Sequence, residues 1–191
     1  MMKLLRKIKI KGKAQSGFTL VEMLMTVLIL SMVSAVVAGG LPMAVSAYTS
    51  VVNTANAESL LSTSMIRLRD ELGTASEVSC GEGIIRYKDS GGCKKRIYFD
   101  TYDNCIYIEE DTIREDSGET QINRYPLVSY GADREKLYAT FVLDEENGPY
   151  QNGILRFSDL SVFREETGED TKLASSGPFQ IRVLTDAVNG D

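Results

Sequence analysis

Gly17, Phe18 and Glu22 are the residues whose types and spacing could do chemistry together. Glycine puts no side chain at the Gly17–Phe18 bond, and a cut there would leave Phe18 with a free amine. Glu22 follows four residues later, a spacing that a helix brings to one face, where amine and carboxylate have opposite charges. The carboxylate also falls in the first helical turn, where the macrodipole favours it. Glu22 is the first acidic residue of the chain and sits inside its only membrane-length apolar run. A charge at membrane depth costs at least ~2.5–3.5 kcal/mol on insertion scales, so a bare Glu there marks a functional position. Pairing with the amine of a neighbouring subunit would offset that cost.

The element that must position these residues is the run from Phe18 to Ala38, apolar except for Glu22 and a few hydroxyls. A bilayer core needs roughly 20 such residues as helix. Lys3, Arg6, Lys7, Lys9, Lys11 and Lys13 precede the run, and no Lys or Arg follows until Arg67. That bias predicts a cytoplasmic N-terminus and an exported remainder. Three readings compete. A secretory signal would be cut at small residues after the run, with Val45-Ser46-Ala47 as the site, but the run is long and Glu22 fits poorly. A plain single-span anchor explains the length and leaves Glu22 without a purpose. A cut between Gly17 and Phe18 accounts for both.

Composition narrows the function class. The chain has 191 residues, room for one ordinary domain plus a membrane segment. From Phe18 onward 15 basic residues face 27 acidic ones, a balance of −12. An acidic bulk argues against nucleic-acid binding, which needs clustered Lys and Arg. There is no histidine, which removes Ser-His-Asp and Cys-His nucleophiles, paired-His zinc sites and the commonest general base. The reading is a non-enzyme without a cofactor or metal.

The Lys-rich leader, Ser16-Gly17, Phe18-Thr19-Leu20-Val21-Glu22 and the apolar helix together resemble the type IV pilins and the pseudopilins of type II secretion and DNA-uptake machines. The resemblance covers about residues 3–40. It implies cleavage after Gly17 and N-methylation of Phe18 by a membrane-embedded prepilin peptidase, with Glu22 guiding each subunit into the filament. The partners it implies are that peptidase, other pilin subunits, an inner-membrane assembly platform and the lipid bilayer. Major pilins often carry a cysteine pair near the C-terminus, whereas the final third of this chain has none. That favours a minor pilin or pseudopilin.

Past the run, Gly39-Gly40 and Pro42 are the place for a break or kink. Residues 43–72 again read helical, with an apolar stripe at Val51, Ala55, Leu61, Met65, Leu68 and Leu72. Glu58 is the only charge from Met43 to Ile66, and small uncharged residues suit close helix packing. As one helix, residues 18–72 would extend roughly 80 Å at about 1.5 Å per residue. From Gly73 the pattern changes to short β-like runs at 84–87, 96–99, 105–108, 137–143, 154–157 and 179–184. Turn clusters at Ser90-Gly91-Gly92, Asp103-Asn104, Asn147-Gly148-Pro149 and Asn152-Gly153 separate them. With no crossover helices the sheet should be mostly antiparallel and packed by the outer half of the helix.

The expected class is therefore α+β and pilin-like: leader 1–17, transmembrane and assembly helix 18–42, amphipathic continuation 43–72, and an antiparallel β head 73–191. Of the three cysteines, Cys93–Cys105 could tie the ends of a hairpin and Cys80–Cys93 could close the helix-to-sheet loop; three unpaired thiols are the alternative. The acid-rich stretches 144–147 and 165–170 lack the spacing of a calcium loop and read as solvated. The expected protein is a membrane-inserted filament subunit with an exported head. The alternative is a single-pass or secreted binding module, uncut at Gly17 or cut after Ala47.

Overall fold

The computed structural model describes residues 17–113, 120–128, 136–165 and 170–184. It divides into two compact units, residues 1–48 and 49–191. One element crosses that division, the 54-residue helix α1 (Leu20–Gly73). In the first unit its large apolar side chains are all exposed, as expected of a surface whose solvent is lipid. Its hydroxyls are satisfied by the helix itself: Thr26 Oγ1 donates to the carbonyls of Glu22 and Met23, Ser31 to Leu28 and Ser34 to Leu30. At the expected place for a break or kink, Gly39-Gly40 and Pro42, the helix is not interrupted and runs through Pro42. In a bilayer, backbone groups would have no water to turn to, so the helix would remain the best hydrogen-bonded state even with one donor missing.

The head packs the outer part of α1 against two antiparallel sheets. The buried helix positions are Ala57, Leu60, Ser64, Leu68 and Leu72, a stripe at three- and four-residue steps. The expected stripe is right at Leu68 and Leu72, and Leu61 and Met65 pack at its margin. Val51 and Ala55 are exposed, because the core begins only at Ala57. Ser64 Oγ is buried without a hydrogen-bond partner among the described residues.

Sheet A is a meander of β1 (Ser76–Gly81), β2 (Ile84–Lys88), β3 (Lys94–Asp100), β4 (Cys105–Ile113) and β5 (Thr120–Pro126). Glu82-Gly83 joins β1 to β2 with both residues at positive φ, the two-residue turn whose twist suits a hairpin. Sheet B is built on the long β8 (Ile154–Arg164). β6 (Leu137–Leu143) and the short β7 (Tyr150–Gln151) pair with it, as do β9 (Thr171–Ser175) and β10 (Phe179–Arg182). Asn152-Gly153 forms the second two-residue turn, at φ 54° and 69°.

Ile85, Ile97, Ile106 and Ile108 from sheet A share one core with Leu155, Phe157, Leu160 and Val162 from β8. Phe99 and Phe163 both stack on Tyr138, at 6.0 and 5.7 Å between centroids, which links the sheets. The six sequence-read runs fall on β2, β3, β4, β6, β8 and β10. The strands β1, β5, β7 and β9 are additions, and the single expected sheet is two.

Candidate processing and assembly site

Residues 17–19 precede α1 in non-helical backbone, and Gly17 and Phe18 are exposed. A Cβ added at Gly17 would meet nothing within 4 Å, so glycine is not required there by the fold of the chain itself. Thr19 is the cap of the helix. Its backbone N–H donates to Glu22 Oε2 at 3.0 Å and its hydroxyl to the same oxygen at 3.1 Å, while Glu22 N–H donates to Thr19 Oγ1 at 3.2 Å. This is a reciprocal capping box, in which two otherwise orphaned amides of the first turn are satisfied by each other's side chains. Both carboxylate bonds fall on Oε2, and Oε1 accepts none among the described residues.

From the sequence, Glu22 is expected to meet a Phe18 amine freed by cleavage, and the fold adds Thr19 as the residue that orients the carboxylate. The signal was present in the sequence as Thr-x-x-Glu immediately before an apolar run. The basic residues 3–13 and Ser16 lie outside the described residues.

The cysteines do not form the pairs proposed for them. All three thiols are free, Cys105 buried and Cys80 and Cys93 partly so. Cys105 is level with Asp100 at the turn end of the β3–β4 hairpin, and Cys93 precedes Lys94 at its open end. Seven residues of strand separate them, ~23 Å at about 3.3 Å per residue. Cys80 is level with Ile85 and Ile97, two strands and four residues from Cys93, roughly 16 Å by the same spacings. It is three strands and three residues from Cys105, about 17 Å away. A disulfide needs Cα atoms closer than about 7 Å, so the ladder itself holds the cysteines apart. Burial pushes the Cys80 thiol up to about 11.

Asp89, Cys93 and Glu110 bring ligand-type atoms within 4.8 Å of one another. Asp89 is already committed, to Lys95 Nζ at 3.2 Å and to the Gly91 and Cys93 amides at 2.9 Å. Those amide bonds fold the loop after β2. The acidic stretch 144–147 is likewise a self-contained turn, with Asp144 Oδ1 accepting from Asn147 N–H at 3.1 Å. Residues 166–169 of the second acidic stretch lie outside the described residues.

Residues 12–38 match the family model of the prokaryotic N-terminal methylation motif, so the chain carries the type IV pilin and pseudopilin signature. The match spans Gly17, Phe18, Thr19, Glu22 and the apolar helix. No curated protein and no solved structure matches the chain.

Proposed function

We propose that the chain is a minor pilin or pseudopilin, cut after Gly17, N-methylated at Phe18 and assembled through α1 into a type IV pilus, secretion pseudopilus or DNA-uptake filament. The observation that carries this reading is the methylation-motif match at residues 12–38, which falls on the Gly17–Phe18 bond and Glu22. The geometry supports it in two ways. The bond lies exposed ahead of the helix, where a protease can bind it extended without unwinding a turn. Glu22 Oε1 is left over after the capping box is made, so the carboxylate can accept a neighbouring subunit's Phe18 amine without giving up Thr19.

In this mechanism the leader stays cytoplasmic and α1 holds the precursor in the bilayer. Cleavage creates the Phe18 amine. Each incoming subunit brings one amine and one carboxylate, so charges that are costly alone become paired as subunits dock. The role is structural, with no catalytic step and no cofactor.

Glu22→Ala tests the docking step. Removing one member of a buried pair typically costs ~3–5 kcal/mol. The variant should be cut and remain in the membrane, yet be missing from sheared filaments. Normal incorporation of Glu22→Ala would refute the pairing mechanism.

A further inference from the structure

The outward face of sheet A carries a charge arrangement that works against its own stability. Arg86 on β2 lies directly opposite Arg96 on β3, and Lys88 lies directly opposite Lys94. The alternate residues Ile85, Tyr87 and Ile97 are buried in the core, so these four cations share the other face. Like charges directly opposite each other across strands are destabilising. Two such rungs in succession are unusual in a chain whose balance beyond the leader is −12. Each rung keeps one cation paired within the head and leaves the other over, which points to a site with another use.

Part of the charge is answered within the head. Lys88 pairs with Glu77 at 2.6 Å, and Arg96 pairs with Glu109. Arg86 and Lys94 are exposed and have no ion pair among the described residues. They border a depression of about 250 Å³ together with Glu109 and Asp111. It adjoins a second hollow of about 480 Å³ against the Gly91-Gly92-Cys93 turn, with Lys94 and Asp111 common to both.

The interleaved carboxylates of Glu77, Glu109 and Asp111 decide what kind of anion fits. A phosphodiester chain, with a charge at every step, would meet those carboxylates as well as the cations. A short acidic segment brings only two carboxylates, matching the two cations, Arg86 and Lys94, that have no ion pair among the described residues. The chain supplies such a segment. The Asp144–Asn147 turn is held by its own hydrogen bonds, and it presents Glu145 and Glu146 exposed, without an ion pair among the described residues.

We propose that the β2–β3 face docks the acidic turn at Glu145 and Glu146 of a second copy of this chain, with Arg86 and Lys94 as its cationic partners. The contact is a complementary, copy-to-copy one in which each head offers one basic face and one acidic turn. Exposed ion pairs are individually weak and screened by salt, so the contact matters where copies are already held close by a shared membrane or filament. It rests on the subunit reading for that proximity alone.

The test is zero-length carbodiimide crosslinking of the full-length chain in detergent micelles at low salt, with the linked peptides mapped by mass spectrometry. The expected product joins Lys94 of one copy to Glu145 or Glu146 of another. Its yield should fall several-fold in R86E, which keeps the Lys94 amine, and in E145K, read at the remaining Lys94–Glu146 link, and return when the two variants are mixed. Arg86→Gln removes the Arg86–Arg96 opposition and keeps the Lys94 amine, so it should fold at least as well as the parent and still lose most of the product. A product whose yield ignores both reversals overturns the proposal, as does failure of the mixture to restore it when both variants are folded. Binding of a duplex DNA oligonucleotide that R86E abolishes, with the Lys94 crosslink between copies unchanged, would also overturn it. Micelles contain no filaments, so a chain that docks by this face but never enters filaments refutes the subunit reading alone. A filament subunit whose crosslink ignores the reversals refutes this proposal alone.

Discussion

Thr19 and Glu22 satisfy each other across the first turn of α1, the Thr19 amide and hydroxyl bonding to Glu22 Oε2 and the Glu22 amide bonding to Thr19 Oγ1. The charge that makes the apolar helix costly is thus oriented before any partner arrives. Thr19→Ala should remove about 1 kcal/mol from the helix start, and Thr19→Ser should keep it. Hydrogen exchange of the amides at residues 19–22 in micelles checks this. About fivefold faster exchange is expected in the alanine variant and little change in the serine variant.

Glu71 ties the outer half of α1 to sheet A. Its Oε1 accepts from the Tyr87 hydroxyl at 2.8 Å and from Lys95 Nζ at 3.1 Å. Burial, helped by the Glu71 carboxylate, pushes the Tyr87 hydroxyl well above the usual tyrosine range, so it remains a donor at alkaline pH. Glu71→Ala leaves a buried hydroxyl and a mostly buried ammonium short of partners. It should lower unfolding stability by ~2–3 kcal/mol, read as a lower denaturant midpoint for the full chain in micelles.

Acid sensitivity should centre on Asp159. Burial alone would raise its carboxyl, but hydrogen bonds from Lys172, Ser161 and Ser175 outweigh burial and hold it at about 2. The folded value lies below the unfolded one, so its stabilisation is fully present above about pH 4 and is lost as pH falls towards 2. Asp159→Asn should cost about 2 kcal/mol at neutral pH and flatten that limb. Unfolding midpoints measured from pH 2 to 7 for both chains check it.

Much of this organisation is legible in the sequence because it rests on strong local signals. β2, β3, β4, β6, β8 and β10 are runs of Ile, Tyr, Phe and Val bounded by Gly and Asn turns, and burial of one face writes that pattern. β1 and β5 are the edge strands of sheet A. Val78 is the one buried residue of β1, and most of β5 is exposed, so neither carries a clear alternation. β7 has two residues and β9 five, too few to show a period. The cysteine spacings mislead for a related reason. Cys93 and Cys105 bracket β3, and sequence distance does not reveal which end of a hairpin each occupies. Gly17, Phe18 and Glu22, singled out by type and spacing, lie within the methylation-motif match and their roles are proposals, whereas Thr19 is easily passed over because it acts by holding Glu22.

The cysteine geometry gives a simple chemical test. The chain recovered from membranes and denatured without reductant should label at three thiols. Labelling at one would mean that two cysteines had been joined despite the ladder. In the folded head Cys80 should react slowly at neutral pH, because burial keeps its thiol at about 11 and the thiolate is the reactive form.

Processing at Gly17–Phe18 is the claim on which the subunit reading depends, and the N-terminus of the mature chain tests it most directly. Intact mass and N-terminal sequencing of the protein recovered from membranes of a cell with the peptidase should show a chain that begins at Phe18 and carries one added methyl group. Gly17→Val, which puts a bulky side chain at the cut, should leave only the precursor. A wild-type chain that begins at Met1, or one that begins after Ala47, would contradict the account.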